Sequence, residues 1–220
     1  MHEPRNVADA PSRRREAALA GHLDRPDEAR DALTDDDGGV RATALAALGR
    51  LGQLRATELA AGLRDPSPRT RRSACEVAVR LDPSPPGLAD LILPLLADED
   101  PAVAEVAAWA LGEVASRHPP AELPDDVSAV VAALARAATD HEDALVRESA
   151  VAALGAIGDP AGLPAILAGT TDKPAVRRRA VLALAPFSGP DVAEALARAS
   201  ADRDWQVRDA AELLLRDEPD

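Results

Sequence analysis

Side chains that could bind a metal or act in catalysis are few in this 220-residue chain. They are His2, His22, His118, His141 and the single cysteine Cys75. His141 precedes Glu142 in an acidic turn, where we expect a solvated or capping role. The chain has no phosphate-binding glycine loop and no nucleophile elbow. We therefore expect no catalytic residues, no metal site and no cofactor.

A five-residue pattern that ends in alanine recurs seven times and predicts how the chain is organised. The clearest copies are residues 40–44, 146–150, 176–180 and 207–211; weaker ones are 70–74 and 103–107, and a degenerate one runs from Arg13 to Ala17. The copies are about thirty residues apart, which is typical of stacked repeats that each hold two short helices.

The first helix of each repeat is indicated by apolar residues at helical spacing. Val146, Ala150, Leu154 and Ile157 form one face, and Val176 to Phe187 repeats it, which predicts a helix as far as Phe187. The alanine lets the neighbouring helix approach closely. The repeat signature comprises Arg41, Ala44, Arg71, Ala74, Ala107, Arg147, Ala150, Arg177, Ala180, Arg208 and Ala211.

Turn residues predict where the helices begin and end. Gly52 and Gly158 favour the left-handed conformation that ends a first helix. Second helices are predicted at 86–97, 125–138, 159–168 and 190–199. Aspartates before each first helix should cap it, and the signature arginine could reach back to the aspartate of an adjacent repeat.

The motif Val-Arg-x-x-Ala is followed by Leu-Gly-x-Ile-Gly-Asp-Pro, and the combination is best seen over 140–215. In these motifs the chain resembles the HEAT repeats, specifically their short-repeat branch named after phycobilisome lyases. The resemblance covers roughly residues 12–215. It implies an all-α, right-handed α-α superhelix of about six to seven two-helix repeats. We expect a flexible lead at 1–11, the solenoid at 12–216 and a frayed acidic end at 217–220.

The same family includes scaffolds, chromophore lyases, an iron hydroxylase and DNA glycosylases, so the fold alone does not choose a function. In the hydroxylase, His-Glu pairs follow the Val-Arg dipeptide, whereas here those two positions hold pairs such as Ala42-Thr43 and Glu148-Ser149. The glycosylases need a basic face with aromatic residues. This chain has a net charge of −13 and 1% aromatic residues.

The acidic balance also argues against nucleic acid as a partner. It favours either a basic protein partner or a solvated acidic edge that serves solubility and helix capping. No apolar run is long enough to cross a membrane and no signal sequence is seen, so we expect a cytoplasmic protein. Cys75 should be a small buried residue. Trp109 is predicted in the packing seam of its helix, and Trp205 is predicted to cover the last repeat.

The first functional hypothesis is a non-catalytic scaffold whose concave surface, lined by second helices, holds a protein segment. Candidate contact residues are Arg55, Glu58, Asp90, Glu194 and His118. The helix at 88–96 is apolar on nearly all sides, which predicts a central position in the stack, and its outward face is a candidate for an apolar contact. The proline-rich insertion at 116–125 is either a binding feature or a longer connection. The alternative is an enzyme or enzyme subunit that resembles the phycobilin lyases.

The register of the first helices can be tested by substitution in the repeat at 146–157. Leu154→Asp should bury an unpaired charge, and Ala150→Arg should overpack the stack. Because repeat stability is close to a sum of neighbour terms, we expect thermal unfolding of either variant to become two-step. One cooperative transition with an unchanged midpoint would show that the register is wrong.

Overall fold

The computed structural model describes residues 9–81, 85, 87–117 and 125–216. Described residues form thirteen α-helices, shorter 3₁₀ segments and no strand, as expected for an all-α repeat fold. They divide into two compact units, Met1–Leu91 and Ile92–Asp220, called the N-terminal and C-terminal units below. None of the described helices is both long and apolar enough to cross a bilayer.

The N-terminal unit alternates first and second helices. Its first helices are α1 (Ala10–His22), α3 (Gly38–Arg50) and α5 (Pro68–Ala78). Its second helices are α2 (Pro26–Asp31), which continues into a 3₁₀ turn at Ala32–Thr34, and α4 (Ala56–Leu63). The short helix α6 (Leu88–Ile92) crosses into the next unit. Ala10 and Pro11, expected in the lead, already belong to α1.

The C-terminal unit repeats the alternation over a longer stretch. Its first helices are α7 (Pro101–Ala115), α9 (Ala144–Ile157), α11 (Pro174–Ala183) and α13 (Trp205–Arg216). Its second helices are α8 (Asp125–Asp140), α10 (Leu163–Gly169) and α12 (Pro190–Ser200), with 3₁₀ segments at Leu93–Ala97 and Pro160–Gly162. Most of the proline-rich insertion, residues 118–124 including His118, lies outside the described residues.

Aspartate caps and a glycine stop place several helix ends as predicted, whereas Asp65 does not cap α5, which follows Ser67 without a side-chain cap. The Asp37 carboxylate accepts a hydrogen bond from the Val40 N–H at 3.0 Å, and Asp143 accepts one from the Leu145 N–H at 2.7 Å. These bonds satisfy amide groups that the first turn of a helix leaves without a partner. Gly158 ends α9 at φ +69°, where a Cβ atom would be strained.

First helices pack closely against first helices in both units, because small residues lie where they meet. A Cβ atom added to Gly112 of α7 would lie 2.8 Å from Ala153 Cα of α9. One added to Gly155 of α9 would lie 2.7 Å from Ala183 Cα of α11. Second helices contact one another much less. The first-helix layer is therefore the more closely spaced layer of each unit.

The predicted apolar face and signature alanines are buried. Val146, Ala150, Leu154 and Ile157 are at most 2% exposed. Every alanine of the signature is 0% exposed; these are Ala44, Ala74, Ala107, Ala150, Ala180 and Ala211. Cys75 is also buried, as predicted for a small apolar residue.

Two helix predictions are wrong, and a proline accounts for each. Helix α11 ends at Ala183, before Phe187, since Pro186 has no N–H to continue the helix and restricts the residue before it. The predicted helix at 88–96 is one α-helical turn, α6, followed by a 3₁₀ segment that contains Pro94. Leu88, Ile92, Leu95 and Leu96 are nevertheless buried.

The degenerate first copy has a different register from the one predicted. Arg13 forms the ion pair that Arg41 forms in the next repeat. The alanine position of this copy is therefore occupied by Glu16, which is exposed, while Ala17 is buried one residue later. A carboxylate is accommodated at this position because the chain leaves it in contact with water.

The close contact at Gly112 yields a prediction that opposes helix propensity. Alanine is intrinsically favoured over glycine in a helix by about 1 kcal/mol. Gly112→Ala should still lower the free energy of unfolding, by about 1–3 kcal/mol, because its Cβ would overlap the Ala153 backbone. Urea unfolding followed by circular dichroism measures the change.

Ala156→Gly is the control, because Ala156 lies on the exposed side of α9. It measures the difference in helix propensity between alanine and glycine in the same helix layer, without a packing change. It should destabilise by about 1 kcal/mol or less. A Gly112→Ala variant more stable than the wild-type protein would contradict the close packing of α7 and α9.

Candidate functional site

The most regular polar feature of the structure is a series of arginine–aspartate pairs between successive repeats. Arg41 in α3 donates from Nε and Nη2 to both carboxylate oxygens of Asp65, at 2.8 and 2.6 Å. Its Nη1 donates to the carbonyl oxygens of Asp35 and Asp36, at 2.7 and 3.0 Å. One guanidinium thus joins the turn before its own helix to the turn before the next first helix.

The same bidentate arginine–aspartate pair occurs in three further repeats. Arg13 binds Asp35 at 2.6 and 3.0 Å, Arg147 binds Asp172 at 2.6 and 2.9 Å, and Arg177 binds Asp202 at 2.9 and 2.7 Å. The predicted contact with an aspartate of an adjacent repeat is confirmed. Its direction is forward along the chain, to the following repeat, and we call the series the arginine ladder.

The aspartates of the ladder also order the turns in which they lie. Asp35 accepts a hydrogen bond from the Asp37 N–H, Asp65 from the Ser67 N–H and Asp202 from the Asp204 N–H, each at 2.8 Å. Arg71 and Arg208 donate to carbonyl oxygens of the preceding turn, at 2.9 and 2.7 Å to Asp65 and Asp202 respectively. The ladder is consequently a structural network.

Ladder carboxyl groups have lowered pKa values. The two hydrogen bonds from Arg147 lower the pKa of Asp172 despite its partial burial. For Asp65, burial alone would raise the pKa, but the hydrogen bonds from Arg41 and the Ser67 amide outweigh it and the net direction is down. The pKa of Arg147 is raised, chiefly by its hydrogen bonds to Asp172. Both partners are therefore charged at neutral pH.

The predicted contact residues occupy different helices and have different environments. Arg55 is exposed at the start of α4, Asp90 is exposed in α6, and Glu194 is exposed in α12 beside Arg198. Glu58 differs, since its side chain is only 14% exposed and accepts a bond from Arg30 Nε at 2.8 Å. The structure thus brings Arg55 and Glu58 together, 3.6 Å apart, within the N-terminal unit.

Glu58 also lines a cavity of about 370 Å³ on the second-helix side of the N-terminal unit. Its walls include Leu33, Leu45 and Ala61, and the pairs Arg30–Glu58 and Arg41–Asp65 lie at its polar parts. Since both arginines already bind carboxylates in the cavity wall, an anionic ligand would have to compete with them. The cavity therefore resembles a groove between helices more than a preformed anion site.

His141 orders the turn before α9, while Asp143 caps the helix itself. The His141 Nδ1 accepts a hydrogen bond from the Asp143 N–H at 3.1 Å. Within the described part of the chain, no three His, Cys, Asp or Glu side chains are grouped in a way that could hold a metal ion. The Glu142 carbonyl oxygen is used by Arg147.

Both predictions for tryptophan are wrong. Trp109 lies in α7 but is 39% exposed, so it is outside the packing seam. Trp205 is the first residue of α13 and is 65% exposed, so it covers little of the last repeat. The sequence does contain a sign that Trp109 is outside the packed face. The equivalent position in other repeats, five residues after the signature arginine, holds side chains of unlike size and polarity: Ala46, Glu76, Ala152 and Leu182.

A family model for HEAT repeats matches residues 56–136, 90–174 and 131–216. The match is to HEAT repeats as a class, so the phycobilisome-lyase-like branch stays a prediction. No curated protein matches the chain.

Several solved structures share the fold. An engineered protein is 21% identical and has a TM-score of 0.61, covering 87% of this chain and 95% of its own. YibA of Escherichia coli is 17% identical with a TM-score of 0.68, covering 97% and 77%. A designed armadillo repeat protein in complex with the peptide (KR)4 is 17% identical with a TM-score of 0.58, covering 95% and 99%.

The ladder makes a prediction for Asp172→Asn. Arg147, whose side chain is 12% exposed, would lose its anionic partner, so the free energy of unfolding at pH 7 should fall by about 1–3 kcal/mol. Because the pKa of Asp172 is lower in the folded state, the contribution is present above its unfolded pKa of about 3.9 and is lost as pH falls below that value. Urea unfolding from pH 7 to pH 2.5 measures both effects.

Glu142→Gln is the matched control, because it removes one charge from an exposed side chain in the turn before α9, whose carbonyl oxygens Arg147 also binds. It should leave stability within about 0.5 kcal/mol of the wild-type value. The ladder would have no energetic role if both variants lost stability equally, or if Asp172→Asn kept the full acid dependence.

Proposed function

The chain belongs to the HEAT-repeat family, and we propose that it is a non-catalytic scaffold that binds a polypeptide partner on one of its helical layers. The observation that carries this proposal is the contrast between inward and outward positions of the first helices. Inward positions repeat the same alanine and arginine, which are used in packing and in the ladder. Outward positions vary freely, from Ala46 to Glu76 to Trp109.

A uniform interior with a varied exterior is suited to presenting a surface. Each repeat contacts mainly its neighbours, so outward side chains can change without loss of the stack. Residues that vary between repeats therefore supply the specificity for a partner. Of the predicted contact residues, Arg55, Asp90 and Glu194 have exposed side chains, but they belong to α4, α6 and α12 and lie outside the first-helix layer. Glu58 is less available to a partner, because it is held by Arg30.

The choice of layer follows from helix spacing. The sequence pattern predicts that second helices line the concave surface, yet the first helices are the more closely spaced layer in each unit. A stack of helix pairs bends toward its more closely spaced layer. This favours the outward face of the first helices as the binding surface and the second helices as the opposite one.

Charge supports a basic partner. The net charge is −13, and the ladder neutralises only some of the carboxylates. Others, such as Glu113 and Glu142, are exposed without a cationic partner among the described side chains. A designed armadillo repeat protein of similar fold is in complex with the basic peptide (KR)4, which shows that such a fold can accommodate one.

Affinity capture with matched variants tests the proposal. Tagged wild-type protein, an Asp90→Ala/Glu194→Ala variant and a Glu105→Ala/Trp109→Leu variant would each be incubated with nuclease-treated lysate from the source cells. If the chain is a scaffold, mass spectrometry should find at least one protein that the wild type retains and only one of the two variants loses. That variant then identifies the layer in contact.

Each variant should first melt within a few degrees of the wild-type protein, so that loss of the partner is not loss of fold. Retention of the same proteins by all three forms would contradict a surface-specific scaffold, and so would retention of none. The salt dependence of capture adds a check, since a basic partner on an acidic surface should dissociate between about 0.05 and 0.5 M salt.

A further inference from the structure

An outward row of apolar side chains crosses the first-helix layer of the C-terminal unit. It consists of Trp109 in α7, Ala152 in α9, Leu182 in α11 and Leu213 in α13, which occupy equivalent positions of successive repeats. Trp109 is 39% and Leu213 is 49% exposed, and the two residues between them are half-buried. Each of these helices contacts the next, so the four positions lie on neighbouring helices of one layer.

Trp109 has carboxylates on both sides along its own helix. Glu105 and Glu113 lie four residues before and after it, on the same helix face and about 6 Å away along the axis. Among the described residues, neither carboxylate has an ion pair. Glu148 of α9 also borders the row, but it is paired with Arg179 at 3.6 Å.

The combination of an exposed ring with two carboxylates is suited to a guanidinium or ammonium group. A cation over the face of a tryptophan is attracted by the ring quadrupole. Nearby carboxylates add charge attraction and accept its hydrogen bonds. The row itself suits the apolar stems of arginine and lysine side chains, which pack along apolar surface while their heads stay in water.

The length of the row sets the length of the occupant. Neighbouring packed helices are about 8–10 Å apart, so four of them span about 27 Å. An extended polypeptide rises about 3.4 Å per residue, so about eight residues cross the layer. Arg178 lies beside Leu182. Its charge would repel a cation there, so the strongest site for a basic side chain is at α7.

We propose that this row binds an extended, arginine- or lysine-containing polypeptide segment of about eight residues, with one basic side chain stacked on Trp109 between Glu105 and Glu113. The inference rests on the proposed scaffold function and specifies its surface and the chemistry of its partner.

A fluorescein-labelled (KR)4 octapeptide is the probe, and binding is measured by fluorescence anisotropy in about 50 mM salt. Trp109→Leu keeps an apolar side chain and removes the aromatic face. It should weaken binding at least fivefold, as expected for the loss of one cation–π contact of about 1 kcal/mol or more. Glu105→Gln/Glu113→Gln should weaken binding and reduce its salt dependence.

Matched controls separate the site from general attraction of a basic peptide to an acidic protein. Trp205→Phe changes the other tryptophan, which lies outside the row, and should bind as the wild type does. Glu142→Gln/Asp191→Asn removes two exposed charges elsewhere in the C-terminal unit and should have less than a twofold effect. In the Trp205→Phe protein, the remaining Trp109 emission should change on addition of the unlabelled peptide.

The inference is overturned if the wild-type protein does not bind the peptide, or if Trp109→Leu binds it as tightly as the wild type. It is overturned as well if Glu105→Gln/Glu113→Gln and the control Glu142→Gln/Asp191→Asn weaken binding equally. It is also overturned if Asp90→Ala/Glu194→Ala abolishes binding and Trp109→Leu does not. In that last case the scaffold proposal stands and only its surface is wrong. Failure of the scaffold proposal is seen separately, as the absence of any layer-dependent partner in the capture experiment.

Discussion

The bidentate pair between an arginine of one repeat and an aspartate of the next is the interaction on which the rest of the structure depends. The arginine lies in one first helix and the aspartate in the turn before the next first helix, as in Arg41 with Asp65 or Arg147 with Asp172. Because a guanidinium and a carboxylate match in a fixed planar geometry, the pair sets both the distance and the orientation of successive turns. A lysine at these positions would provide charge without that geometry.

The ladder in turn requires very close packing of first helices. An arginine reaches the next turn only if the helices between them lie close together, and the alanine and glycine positions allow this. The contacts of Gly112 with Ala153 and of Gly155 with Ala183 leave no room for a Cβ atom. Loss of an arginine–aspartate pair should therefore weaken the close packing of first helices, and loss of that packing should weaken the pair. The two kinds of contact act together between neighbouring repeats.

The ladder also changes how the acidic composition should be understood. Net charge alone indicates a uniformly negative molecule. In the structure, Asp35, Asp65, Asp172 and Asp202 are held by arginines, and others cap helices. The charge available to a partner is consequently carried by residues that do neither, and Glu105 and Glu113 are two of them. Local placement of carboxylates, more than the total, determines which surface attracts a basic segment.

The repeat period, the helix pairs, the buried alanines and the aspartate caps are all determined by the sequence itself. These features depend on contacts between residues a few positions apart, or on a pattern that each repeat contains in full. The ends of α11 and α6 were also encoded locally, in Pro186 and Pro94, although the apolar periodicity on either side obscures them.

Only the tertiary structure decided which aspartate each arginine binds, which helix layer is closely spaced and how exposed Trp109 is. Apolar spacing identifies the inner face of a helix, but the exposure of a side chain beside that face depends on what the neighbouring helix places next to it. Here the equivalent position of α9, the helix packed against α7, holds the small Ala152, and Trp109 is 39% exposed. The direction of the ladder likewise depends on how far one turn lies from the next, a distance that is set by packing.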